Sequence, residues 1–293
     1  MKIALITGAN SGLGYASTQA LLKEDYYIYM ACRSEAKALE AINTFDLELR
    51  EKVEYIHCDL SSFDSIRACA DHILKNEKQL NALMLNAGLM ATPPSETSDG
   101  YEIQIGVNVL GHALLAELLF PLIKTTPDAR VVTLSSVASN SGRPLQKEMF
   151  SLSENYRPWQ TYSNSKLADL FYAKALAKYF EEQDINARSI AAHPGGTASQ
   201  LQINTRKMGG VGISGPFWVY VMKFFGMTIH KGALSQLMGI LSDDVKNGDY
   251  IGPKGSPSAF KGDPKVIENY SLSNSTLDDF RTLLKTELDL KHL

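Results

Sequence analysis

The feature that most restricts how this chain can fold lies at its start. An apolar run at 2–7 passes directly into Thr7-Gly8-Ala9-Asn10-Ser11-Gly12-Leu13-Gly14, and a helical pattern follows over 16–23. Strand, glycine-rich turn and helix in immediate succession form the opening of a βαβ unit that holds a dinucleotide. Gly8 supplies the tight turn, Gly12 lets the backbone approach a diphosphate, and Gly14 allows helix to pack close on strand. Asn10, Ser11 and Leu13 complete a cofactor-binding turn at the positive end of the helix, where an anion is favoured.

The remainder of the chain repeats this alternation. Short β-rich runs at 27–32, 53–58, 82–86, 130–135 and 187–192 are separated by longer helical patterns, which is the signature of βαβ units. These runs are apolar at successive positions, as in parallel strands covered on both faces. A short run at 249–253, closed by Gly252-Pro253, adds an edge strand, and Leu277, Phe280, Leu283, Leu284 and Leu288 mark a terminal amphipathic helix. No linker or fixed-period repeat divides the sequence. The expectation is a single-domain α/β Rossmann fold over 1–293, with a doubly wound, mostly parallel, seven-stranded sheet and helices on both faces. A substrate-covering insertion is expected at about 197–230 and a C-terminal extension from about 253. Within the insertion, a glycine-rich stretch leads into the aromatic segment 217–225, which suits a lid over an apolar substrate, a packed helix or a shallow membrane contact.

Composition narrows the function. Lys plus Arg number 29 against 32 Asp plus Glu, a net charge of −3, so no basic excess exists to neutralise nucleic-acid phosphates. Cys32, Cys58 and Cys69 show no C-x-x-C spacing, and the six histidines form no i, i+4 pair, so no metal site is expected. The N-terminal apolar run is too short for a secretory leader, and 217–225, interrupted by Lys223, falls well below the roughly 20 residues of a spanning helix. A cytoplasmic protein without stable membrane insertion is expected. At the end of the second strand, Met30-Ala31-Cys32-Arg33-Ser34 carries no carboxylate for a ribose 2′-hydroxyl. Arg33 offers a planar charged fork and Ser34 a donor, which suits a 2′-phosphate. NADP is therefore expected over NAD.

These residues, taken with others in order along the chain, resemble the short-chain dehydrogenase/reductase family. The turn TGANSGLG matches its glycine pattern. Asp59-Leu60 resembles its adenine-contacting segment, Asn86-Ala87-Gly88 the segment after its fourth strand, and Pro194-Gly195 the turn beside the nicotinamide. Asn108 resembles the family's catalytic asparagine, Ser136 its serine, and Tyr162 with Lys166 its Tyr-x-x-x-Lys pair. The segments MACRS, DGYEIQIGVNVLGH and GDYIGPKG point to the retinol-dehydrogenase-like and protochlorophyllide-reductase-like branch, although Gly196 stands where the light-dependent reductases carry cysteine.

The resemblance implies an NAD(P)-dependent oxidoreductase acting on a small carbonyl or alcohol. Tyr162 and Lys166, four apart, share one helix face. A phenol ordinarily titrates near 10, about three units above neutrality, and a nearby ammonium favours its ionised form. In the family's scheme Tyr162 exchanges a proton with the substrate oxygen, Ser136 holds that oxygen, Lys166 also binds the nicotinamide ribose, and Asn108 supports a water-linked path to Lys166. Ser135 is the alternative to Ser136. Thr197 and Ser199 are expected at the carboxamide or diphosphate. The interval from Ser136 to Tyr162 is longer than in common members. Many relatives pair through the helices flanking the fifth strand, and this long loop is a candidate to cover that surface, leaving monomer and homo-oligomer open. A catalytically silent NADP-binding sensor is the alternative function, and the intact Tyr162-Lys166 pair counts against it.

Overall fold

The computed structural model describes residues 1–196, 227–254, 261–267 and 274–293. Eight strands form one sheet in the order β3-β2-β1-β4-β5-β6-β7-β8: β1 (Lys2–Thr7), β2 (Tyr26–Cys32), β3 (Val53–His57), β4 (Ala82–Leu85), β5 (Ala129–Leu134), β6 (Ala187–Ala192), β7 (Tyr250–Pro253) and β8 (Pro264–Val266). The first seven pair in parallel. The expected seven-strand sheet gains an eighth strand, β8, which runs antiparallel to β7. Its three residues carry no readable period, and its first is a proline, acceptable there because an edge strand needs no further donor on that side.

Helices α1 (Gly12–Lys23), α2 (Glu35–Ile42), α3 (Phe63–Asn76), α4 (Gly111–Thr125), α5 (Pro158–Glu182), α6 (Ile229–Leu241) and α7 (Asn274–Leu288) flank the sheet. The alternation of the strands decides what each face buries. From β1, Ile3 and Leu5 enter a core with residues of α3, α4, α5 and α7. Ala4 and Ile6 enter the opposite core with α1, α2 and α6. Burial of both faces explains why these strands read as unbroken apolar runs.

The chain reverses its direction of travel across the sheet after β3, so β1 and β4 are neighbours whose following segments diverge. A crevice at the strands' C-terminal ends results at this switch point, which is where open α/β sheets receive ligands. The glycine turn follows β1 and Asn86-Ala87-Gly88 follows β4, so the topology places both on the crevice.

Two points of the sequence reading are filled in here. The segment 217–225 lies outside the described residues, and a longer apolar stretch is the helical run Ile103–Thr125, whose most apolar 18-residue window has a mean hydropathy of 1.6. Its most apolar window is 83% buried among the other elements, so its hydrophobicity serves the core. The helices flanking β5 are covered by α7 and the tail as well as by the long loop, whose Arg143 amide donates to Asn164 Oδ1 at 2.9 Å and whose Leu145 and Phe150 enter the same core. Phe280 stacks on Phe171 with centroids 5.5 Å apart, and the His292 ring lies 3.9 Å from that of Phe120. Arg281 bonds Glu182, Lys178 bonds Asp278, and the amides of Lys291 and His292 donate to the Glu117 carboxylate.

Candidate active site

The nucleotide side of the crevice is shaped by backbone. Gly12 has φ of +57°, the left-handed region that disfavours other residues. A methyl group on Gly14 would stand 2.4 Å from the Gly8 carbonyl and 2.6 Å from Asn86 Nδ2, so α1 starts in direct contact with the ends of β1 and β4. Asn86 fixes this junction by donating from Nδ2 to Thr7 O at 2.8 Å. Ser11 stands at the N-cap of α1 but its side chain caps no amide, so the opening amides of the helix keep their capacity for an anion. Asn10 and Leu13 flank this point, Asn10 partly accessible and Leu13 buried beneath it.

Arg33 projects from the end of β2 with its side chain exposed, and Ser34 beside it heads α2 without capping it. Among the described residues Arg33 has no ion-pair or hydrogen-bond partner in the protein. Beyond β3, the Asp59 carboxylate accepts from the amide and hydroxyl of Ser61 at 3.0 and 2.7 Å, which sets the loop, while Leu60 is buried. Ala87, Gly88, Pro194 and Gly195 are partly accessible along the same edge. Thr197 and Ser199 lie outside the described residues. A glycine turn at a helix start, with an unpartnered guanidinium at the end of the adjacent strand, could hold a diphosphate and a phosphorylated ribose.

The two sides of the crevice are joined by a buried relay of hydrogen bonds. Residues 106–110 form a π-helical turn, in which the Gly111 amide donates to the Gly106 carbonyl five residues back. Such turns disturb the regular ladder and occur often at functional sites. At its centre Asn108 is fully buried; Oδ1 accepts from Leu89 N at 2.7 Å, and Nδ2 donates to Leu89 O at 3.0 Å and Ser165 Oγ at 2.9 Å. Its carbonyl accepts from His112 Nδ1 at 2.9 Å. A carbonyl can only accept, so Nδ1 carries the proton and Nε2 accepts from Thr7 Oγ1 at 2.9 Å. Thr7 Oγ1 in turn accepts from the amides of Asn86 and Ala87. Burial pushes the His112 pKa down to about 3, so the ring is neutral and this directionality is fixed.

Helix α5 carries the reactive group set. Pro158 opens it, a position where the missing N–H costs nothing. Tyr162 is 5% exposed and packs with Met90, Ala91, Ala138 and Trp159, whose ring lies edge-on at 6.1 Å. One turn on, Lys166 Nζ donates to Leu134 O at 2.9 Å and to Asp169 Oδ2 at 2.7 Å. A methyl group on Gly88 would stand 3.2 Å from Asn108 Oδ1 and 3.5 Å from Lys166 Nζ, so both groups converge beneath this glycine. The two serines differ sharply. Ser135 is buried and gives its hydroxyl to Lys166 O at 2.6 Å. Ser136 is partly accessible, and among the described residues its Oγ accepts only from Ala138 N, at 3.2 Å, which leaves its proton for a ligand.

Asp169, His112 and Ser165 belong to this constellation although sequence reasoning assigned them no role. So does a second buried network under the loop after β4. There Gln104 Oε1 accepts from Ala91 N at 2.7 Å, and Glu102 accepts from the amides of Gln104 and Ile105. Gln104 Nε2 donates to Tyr156 OH at 2.7 Å and to Pro158 O at 3.0 Å, tying this loop to the start of α5. Asp169 had a readable signal, three residues beyond Lys166 on the same helix face. The others depend on partners distant in sequence.

Comparison with known proteins agrees with this geometry. Residues 2–209 match the short chain dehydrogenase family. Over 205 residues the chain is 38% identical to human retinol dehydrogenase 12, a match spanning 68% of this chain and 63% of that protein's length. A crystal structure of an uncharacterized protein from Mycobacterium paratuberculosis superposes with a TM-score of 0.77 at 28% identity, covering 100% of this chain and 95% of that one. A short chain dehydrogenase from Shigella flexneri complexed with NADP shares the fold with a TM-score of 0.63 at 20% identity, covering 85% and 95% of the two chains.

Proposed function

Because this chain belongs to the short-chain dehydrogenase family, we propose that it is an NADP-dependent oxidoreductase interconverting a carbonyl and an alcohol on an apolar small molecule. The observation that carries this reading is the placement of Tyr162 and Lys166 one turn apart on α5, with Lys166 Nζ bonded to Leu134 O at the end of β5, two residues before Ser136. The bound nicotinamide supplies or accepts the hydride.

The residues present fit such a cofactor. The α1 amides at Ser11 to Gly14 would take the diphosphate, and Arg33 with Ser34 the 2′-phosphate. Asp59 and Leu60 would border the adenine, and Ala87, Gly88, Pro194 and Gly195 the nicotinamide ribose. Thr197 and Ser199 are proposed for the same end. Arg33 supports NADP because a cation without a protein partner among the described residues gains most from an added phosphate, and β2 ends without a carboxylate for a ribose 2′-hydroxyl.

The protein's own part in the reaction is proton management. Ser136 donates its proton to the substrate oxygen and fixes it beside the phenol. Tyr162 delivers a proton to that oxygen as the carbonyl becomes an alcohol, or removes it in the reverse direction. Lys166 stabilises the phenolate left behind through its charge. Asn108 holds the loop after β4 against α5, so that Lys166 and Gly88 keep their separation. The apolar wall of Met90, Ala91, Ala138 and Trp159 excludes water from the phenol and favours a substrate of like polarity. The likeness to retinol dehydrogenase 12 supports an extended apolar substrate.

The test is NADPH consumption against a panel of aliphatic aldehydes, aromatic ketones, quinones and retinal, with NADH in parallel. Turnover of apolar carbonyls with NADPH is the expected result. Nucleotide binding without turnover of any panel member would overturn the oxidoreductase reading in favour of a silent nucleotide sensor.

A further inference from the structure

One face of α5 carries Tyr162, Lys166 and Asp169 at i, i+4 and i+7. The proton transfer just described uses the first two and leaves the third without a role. Yet Asp169 is placed at considerable cost. Its side chain is 3% exposed, that of Lys166 is 5%, and their charged atoms lie 2.7 Å apart. Burial pushes the Asp169 pKa up to about 6 even against the opposing pull of the lysine. A buried ion pair of this kind rarely adds stability over apolar packing, so its presence is better explained by what it does to the lysine.

The geometry shows what that is. An ammonium has three protons. Lys166 gives one to the Leu134 carbonyl on β5 and one to Asp169 on α5. Two of its directions are thereby fixed by two different elements, and the third is left for the side where Gly88 and Asn108 Oδ1 lie. Resting on the proposed roles of Tyr162 and Lys166, we propose that Asp169 is a positioning residue: it holds the Lys166 ammonium at the reacting end and offsets its charge, and so sets the pH at which Tyr162 exchanges its proton.

The surroundings leave Asp169 as the group able to do this. β5 contributes the Leu134 carbonyl and Ser135, and the loop from Asn86 to Leu89 contributes nothing titratable. On the neighbouring elements, His112 of α4 and His193 at the end of β6 are held neutral by burial, with pKa values of about 3 and about 4. Asp169 therefore supplies the negative charge that opposes Lys166. Removing it leaves the full positive charge one helical turn from the phenol, which favours the phenolate and moves proton exchange to lower pH.

Two readouts test this, one of them without nucleotide or substrate. The first is the tyrosinate absorbance of the apo-protein against pH, taken as the difference from the matching Tyr162→Phe protein. The second is the pH profile of alcohol oxidation. In Asp169→Asn both midpoints are expected to fall by about one pH unit, the effect of one nearby charge, while NADPH affinity by fluorescence titration changes by less than about threefold. Asp169→Glu keeps the charge, so its midpoints should return to the wild-type value. Unshifted midpoints in folded Asp169→Asn would overturn the proposal and leave a merely structural ion pair. If Asp169→Asn does not fold, Asp169→Ser decides: lowered midpoints at unchanged NADPH affinity support the proposal, and wild-type midpoints overturn it. Failure of the underlying reading looks different, since Tyr162→Phe would then retain turnover whatever Asp169 does.

Discussion

The two sides of the crevice are built on opposite plans. On the nucleotide side, between β1 and β2, recognition groups are backbone amides and exposed side chains: Ser11 and Arg33 are both exposed. On the side formed by α4 and α5 the polar side chains are buried and occupied. Asn108, His112, Lys166 and Asp169 are all buried, and each is hydrogen-bonded to protein. The difference follows from what each side must do. A site for an anionic ligand needs donors left unsatisfied until the ligand arrives. A proton-transfer site needs distances that do not change, which satisfied and buried hydrogen bonds enforce.

The largest effect is expected where the occupied side is broken. Lys166→Met removes the charge beside Tyr162 and leaves Asp169 buried without its partner. Turnover should fall by at least about 10²-fold, and stability by about 3–5 kcal/mol, as for a buried pair that loses one member. The double variant Lys166→Met/Asp169→Leu should regain most of that stability and none of the turnover. Urea denaturation and steady-state assays separate the two, and recovery of activity in the double variant would contradict the division drawn here.

Breaking the open side should cost affinity instead. Gly14→Ala places a methyl 2.4 Å from the Gly8 carbonyl, so α1 must shift from β1. A loss of about 1–3 kcal/mol is expected from such overpacking, with NADPH binding weakened at least tenfold and kcat at saturation little changed. Arg33→Asp is smaller still in its reach. NADPH affinity should drop by about 10–100-fold, consistent with about 1.5–3 kcal/mol for a charge-assisted contact, with NADH binding spared and the melting temperature unmoved. Equal effects on both nucleotides would remove Arg33 from 2′-phosphate recognition.

The effect that is smallest at neutral pH, because it appears only on acidification, concerns stability. Burial holds the folded pKa values of His112 and His193 at about 3 and about 4, below the ordinary imidazole value of 6.5. The unfolded chain binds protons first, so stability is present above about pH 6.5 and is lost as pH falls toward those values, by up to about 1.4 kcal/mol per unit for each histidine. Asp169 has the opposite sign, because burial lifts its folded pKa to about 6, above the ordinary carboxylate value of 3.8. Its contribution is present below about pH 4 and lost as pH rises through 6. His112→Asn should flatten the acid loss between pH 6.5 and 4, and Asp169→Asn should steepen it; denaturant titrations across that range read both slopes.

The open side was largely legible in the sequence because its determinants are local. A glycine needed for close approach, such as Gly14, sits in a turn whose neighbours on both sides declare the context. Strand positions such as Leu5 and Ile6, which feed opposite cores, likewise announce a sheet covered on both faces. The occupied side was legible only in part. Tyr162 and Lys166 are four apart on one helix, but the His112 link to Thr7 spans 105 residues, and no short-range pattern encodes it. Asp169 stood beside Leu170 at the head of an apolar stripe, where a carboxylate reads as solvated until the tertiary packing is known. The part of the cover over the helices flanking β5 that α7 supplies was unread for the same reason, since Phe171 and Phe280 are stacked by folding rather than by spacing.

The central claim, that Tyr162 is the proton-transferring group beside a bound nicotinamide, is tested most directly by single-turnover oxidation of NADPH preloaded on Tyr162→Phe and mixed with an apolar carbonyl substrate. Unchanged NADPH affinity with a rate lowered by about 10²–10⁴-fold is the expected result, the range for removal of a general acid. A single-turnover rate equal to that of the wild type would contradict it.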